Sequence, residues 1–149
     1  MDKDLVINLE WERKFVLFLD TGLKLQTPDS DWATLAVATI DAPGCLSGVI
    51  SRNMIRPMKR TQGTANIKKN VLGHKDYDVI GFAKEFRAAL GSNSFVGGEK
   101  PGTPGLSFYG VLSNYFYAQC AISDQMMVEG DLVAWRERVE ALIPLKSLF

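Results

Sequence analysis

Seven basic side chains with no acid among them are the residues of this chain best equipped for chemistry. Arg52, Arg56, Lys59, Arg60, Lys68, Lys69 and Lys75 all lie between Ala42 and Lys75, a stretch of 34 residues without Asp or Glu. Such side chains suit phosphate: they release its counterions on contact, and the affinity then falls steeply with salt. They suit equally an acidic groove on a neighbouring subunit. Arg52 and Arg56 are four apart and share one helix face, and Lys59-Arg60 continue beyond Pro57. Thr61, Gln62, Thr64, Asn66 and Asn70 add hydrogen-bonding groups of small bulk. A third use of the segment is a solvated loop whose charge faces the acidic remainder of the same chain.

That remainder is acidic on both sides. Residues 1–41 carry eight acids against four bases and residues 76–149 nine against six, so the 149-residue chain is formally neutral. Neutrality argues against an indiscriminate polyanion binder, and no nucleic-acid-binding motif accompanies the basic stretch. Phe108, Tyr109, Tyr115, Phe116 and Tyr117 would make a base-stacking platform if they shared a sheet face. The run from Leu106 to Val111 lacks the basic-glycine opening of the RNA-recognition signature, however. Tyr115 and Tyr117 read instead as outward, interface-forming residues.

Nucleophilic chemistry has one candidate couple. Cys45 follows Pro43-Gly44 and opens a short apolar segment, where a helix dipole would lower a thiol pKa, and His74 would serve as its base. Against it stands the ordinary role of cysteine as a small buried hydrophobe. His74 also sits beside Asp76 and Asp78, but one imidazole with no cysteine nearby falls short of a zinc set, and Asp76 is expected to cap a helix. No metal or other cofactor is implied. The glycine cluster from Gly97 to Gly102 lacks a Gly-Lys-Ser/Thr ending and opens no helix, so it does not match a phosphate loop.

The elements that would position these residues follow from periodicity. Leu5, Ile7, Leu9 and Trp11 alternate with more polar neighbours and predict a half-buried strand; Phe15–Leu19, apolar throughout, predicts a second, central one. Pro28 and the acids after it suit a helix start, and Trp32, Leu35, Ala36, Thr39 and Ile40 fit helical spacing, although the same stretch also alternates as a strand would. Leu46, Val49, Ile50 and Met54 predict a short helix stopping near Pro57. Residues 59–75, basic and aperiodic, read as an irregular loop, and Gly- and Pro-rich 92–105 as a second. A helix from about Tyr77 to Leu90 buries Val79, Phe82, Ala83, Phe86, Ala89 and Leu90 and ends at Gly91. Leu106–Leu112 and Tyr115–Ile122 predict a hairpin turned at Ser113-Asn114, with Phe116, Ala118, Cys120 and Ile122 inward. A last helix near Asp131–Ile143 buries Leu132, Trp135, Val139 and Leu142.

Together these predict one α+β domain over 1–149. An N-terminal strand pair and a C-terminal hairpin form its antiparallel sheet, and two or three helices pack on that sheet. The apolar end, with Leu148 and Phe149, would need a surface to cover it. The expected function is a non-catalytic, self-associating structural subunit, of a virion or another multimeric complex, that uses 52–75 as its contact. Nucleic-acid binding through the same segment is the alternative, and a small thiol enzyme the second. Partners are a second copy or another protein, with nucleic acid for the alternative and no membrane, because no apolar stretch nears the ~20 residues that span a bilayer. Without a leader-like start or a disulfide framework, the cytoplasm or a virion is the expected setting.

Overall fold

Trp11, Phe15, Leu19, Leu23 and Thr27 recur every four residues, and all five are buried. Four exceeds the 3.6-residue turn of an α-helix, so in a regular helix such a row would wander round the surface by about 40° per step. The computed structural model, which describes residues 3–40, 44–70 and 78–143, shows how the row is kept inward. Helix α1 (Lys3–Lys14) passes into a π-helical turn at Phe15–Leu19 and then into α2 (Asp20–Gln26). The Asp20 N–H donates to the Phe15 carbonyl five residues back, and this wider turn takes up the surplus residue. The expected N-terminal strand pair is therefore helix throughout. Its alternation was real but short, and the four-residue spacing over a longer span is what packing obeys.

The same device recurs. Between α4 (Gly44–Ile50) and α5 (Arg56–Asn70) lies a second π-helical turn, Ser51–Ile55, closed by the Arg56 N–H on the Ser51 carbonyl. The inward row here is Ser51, Ile55, Lys59 and Gly63, again four apart and buried or half-buried. Pro57, expected to stop the helix, is the second residue of α5. The wider turn before it opens the ladder where proline has no N–H to give. Residues 59–70 are thus helical rather than an irregular loop; 71–75 lie outside the described residues. The row carries one apolar side chain in four, which leaves hydrophobic periodicity nothing to register.

Asp29–Ile40 forms α3, which settles helix over strand for that stretch. Thr27 does not cap it: its hydroxyl donates back to the Leu23 carbonyl. Helix α6 (Val79–Leu90) buries Val79, Phe82, Ala83, Phe86 and Leu90, while Ala89 is exposed. Its cap is Asp78, whose carboxylate accepts from the Ile80 N–H at 3.1 Å, and Gly91 at φ +59° ends it as the sequence predicts. The expected cap Asp76 lies outside the described residues.

The C-terminal half overturns the hairpin. Thr103–Tyr117 is one helix, α7, begun by Pro104 and running through Ser113-Asn114. Phe108, Leu112 and Phe116 line its buried face with Tyr109 beside them. The alternation from Phe116 to Ile122 did pick buried positions, but these are the end of α7, a turn with Gln119 at φ +55°, and the start of α8 (Ala121–Glu129). Helix α9 (Val133–Leu142) buries Trp135 and Val139, whereas Leu142 is exposed. Among the described residues there is no strand or sheet, so the α+β expectation gives way to an all-helical fold.

Helix α7 lies at the centre, touching α1, α3, α8, α9 and the first π turn. Around Phe108 the rings of Phe86, Trp135, Phe15 and Phe82 stand with centroids 4.3, 5.2, 5.7 and 6.0 Å away. Asp31 of α3, itself buried, ties the two halves together: its carboxylate accepts from the Ile122 N–H at 2.8 Å, at the start of α8.

Candidate functional site

The basic segment has two faces, and the structure sorts its residues between them. Helix α5 lies against α2, close enough at Gly63 that a Cβ there would stand 2.9 Å from Leu25 Cδ2. That docking turns the row of Ile55, Lys59 and Gly63, with Arg56 and Arg60 next to it, toward the body of the protein. Arg56 Nη1 stands 2.8 Å from Asp29 Oδ2 and Arg60 Nη2 3.7 Å from Asp29 Oδ1, both reaching the start of α3. Two of the seven bases are thus partly neutralised within the chain. Thr61 and Thr64 donate to the carbonyls of Pro57 and Arg60 at 2.8 and 3.0 Å, so their hydroxyls serve the helix.

The outward face is largely apolar. Leu46, Val49, Met54 and Met58 are 53, 56, 67 and 51% exposed. They follow one another at spacings of three, five and four, and the step of five crosses the π turn, whose i→i+5 bonding takes up the extra residue. One row therefore runs along α4 and α5, with exposed Arg52 beside it. Scattered apolar residues are normal on a surface; four on one helix face are not. In the sequence Leu46, Val49 and Met54 had marked a helix but no interface, and Met58 lay beyond its expected stop at Pro57. Their spacing, read with the polar residues at 51, 59 and 63 as the inward set, is the signal that would have found it.

The inward face borders two cavities that share Trp32. One, about 280 Å³, is lined by Asp20 and Lys24 of α2, Trp32, Leu35 and Ala36 of α3, Ile55, Lys59, and Val111, Asn114 and Tyr115 of α7. The other, about 220 Å³, lies on the Asp29 side and includes Ser51, Arg52 and Arg56. Lys24 and Asp20 pair with each other across one helical turn. Tyr115, expected outward, lines the first cavity, and burial, against an opposing hydrogen bond with Thr27, pushes its phenol up to about 12. Tyr117 at the end of α7 is exposed.

Several sequence candidates have no described side chain. His74, Lys75, Leu148 and Phe149 lie outside the described residues, and Cys45, Lys68 and Lys69 are described by backbone alone, on α4 and α5. Among the described residues no three of His, Cys, Asp and Glu converge as metal ligands, and no helix is long and apolar enough to cross a membrane. Cys120 is fully buried; desolvation, with Asp31 and Asp124 nearby, pushes its thiol up to about 12. Two results are expected from that. Native protein at pH 8 should leave Cys120 unalkylated by iodoacetamide, and unfolded protein should not. Stability should also fall with pH above about 9, because the unfolded thiol ionises there while the folded one keeps its proton. A Cys120→Ala variant should show a shallower fall over that window, and identical pH profiles would contradict the assignment.

Comparison of the chain with protein-family models, with curated proteins and with solved structures gave no match.

Proposed function

We propose that the protein is a non-catalytic assembly subunit that associates with further copies of itself through the outward face of α4 and α5, inside the cell or within a particle such as a virion. The observation that carries the reading is the exposed row Leu46, Val49, Met54 and Met58 on a segment free of acids. Burying a Val, Leu or Met side chain contributes about 1.5–3 kcal/mol, so four half-exposed ones are enough to seed an interface. Methionine adapts its shape to whatever it meets.

The same chain offers a complement. Val128 and Val133 are 70 and 45% exposed on either side of the turn between α8 and α9, with exposed Glu129 and Glu137 close by. An apolar row with Arg52 beside it, meeting an acidic, apolar corner, is a head-to-tail contact, which closes into rings or extends as a filament. Arg56 and Arg60 hold Asp29 in this arrangement and are not the contact.

Sedimentation equilibrium at low and high salt, with absorbance at 260 and 280 nm, tests the reading. The expected result is an average mass that rises above 16.5 kDa with concentration and is largely kept at high salt, with the absorbance ratio of protein alone. A monomer at every concentration would overturn it. A species carrying nucleic acid and lost at high salt would replace it with the phosphate-binding alternative.

A further inference from the structure

Beneath the outward row, two buried hydrogen-bond donors lack an acceptor among the described residues. Trp32 is 4% exposed and its Nε1 is buried without a partner among the described residues. Arg60 Nε is also buried and unpartnered. Asp29, the carboxylate nearest to it, holds Arg56 at 2.8 Å and leaves Arg60 at 3.7 Å, beyond a hydrogen bond. Lys59 is half-buried on the wall of the larger cavity and makes no ion pair or hydrogen bond among the described residues. Buried donors are nearly always matched, so the Trp32 indole N–H, with the unpaired Lys59 ammonium on the same cavity wall, calls for an acceptor from elsewhere.

The cavity states what else that acceptor must be. Leu35, Ile55, Val111 and Tyr115 give it an apolar wall, and about 280 Å³, just under the usual small-ligand range, has room for a compact bicyclic body. Lys24 and Asp20 cancel at its rim, which leaves Lys59 as the net positive charge. We propose that this cavity binds a small organic monoanion. Its compact apolar or aromatic body would lie against the α3, α5 and α7 walls, and its single oxyanion head would meet Lys59 and the Trp32 indole N–H. The site faces away from the outward row and does not depend on the assembly reading.

Calorimetric titration of the full chain tests it with three probes: 1-naphthoate, its neutral isostere 1-naphthamide, and inorganic phosphate as a head group without a body. Naphthoate should bind with sub-millimolar affinity, and naphthamide at least about tenfold more weakly, the ratio expected for one charge-assisted contact. Phosphate alone should bind far more weakly than naphthoate. In Lys59→Met, which keeps length and bulk, naphthoate should lose about tenfold while naphthamide is unchanged. The probe comparison is made on the unsubstituted protein, so it stands whether or not the variant folds. Equal affinity for acid and amide would overturn the proposal. So would phosphate binding as tightly as naphthoate, unchanged naphthoate affinity in a folded Lys59→Met, or no binding of naphthoate at millimolar concentration.

Discussion

Phe108→Ala is expected to destabilise the protein by about 4 kcal/mol, in the middle of the range for aromatic truncation in a core. Phe108 is fully buried on the central helix and touches four rings, with Phe86 at 4.3 Å and Trp135 at 5.2 Å. Truncation removes the transfer free energy of the ring and leaves a hole walled by stiff aromatics. Those rings come from two other helices and a π turn, so they cannot close on it together. Each ring pair adds about 0.5–1.5 kcal/mol beyond buried area. Against a total stability of about 5–15 kcal/mol that is a large fraction. Urea unfolding should show the midpoint falling with the slope unchanged, and a loss under about 1.5 kcal/mol would mean that α7 is not the centre of the core.

Much of that core was legible in the sequence, and the elements carrying it were not always. Most of the stripes of α6 and α9 read correctly because Val79, Phe82, Phe86 and Leu90, and then Leu132, Trp135 and Val139, keep ordinary helical spacing; Ala89 and Leu142, read as inward, are exposed. The α1–α2 rod was misread because Trp11, Phe15, Leu19 and Leu23 keep a spacing of four, which only a π turn makes compatible with one buried face. On α7 the polar pair Ser113-Asn114 imitated a turn. Both residues stand between Leu112 and Phe116 on a helix held by its buried neighbours, so tertiary packing overrode a local preference.

The basic segment was legible as a run of charge, and the direction of its side chains was not. Charge along the chain is visible in sequence, but the direction in which Arg56, Lys59 and Arg60 point depends on α5 docking against α2 at Gly63, a contact between distant positions. The outward surface then falls to Leu46, Val49 and Met54, which sequence periodicity assigned to a helix without saying which way it faced, and to Met58 beyond the helix's expected end.

Val49→Glu combined with Met54→Glu is expected to weaken self-association by about a thousandfold or more. Each substitution removes about 1 kcal/mol of partial apolar burial and places a carboxylate opposite the Glu129 and Glu137 corner of the next copy. Burying an unpaired charge at an interface adds several kcal/mol more, and every 1.4 kcal/mol is tenfold in affinity. The monomer itself should be unaffected, because both positions are solvent-facing helix sites where glutamate is a good helix former. A Lys59→Gln, Arg60→Gln protein, altered only on the inward face, should associate as the unsubstituted chain does.

Sedimentation equilibrium of the unsubstituted protein beside Val49→Glu/Met54→Glu, at matched concentration and with circular dichroism to show that both are folded, is the most direct measurement. The expected result is concentration-dependent mass above 16.5 kDa for the first and a 16.5 kDa monomer for the second. Equal masses for two folded proteins, whether both associated or both monomeric, would contradict the assignment of the α4–α5 face as the surface of assembly.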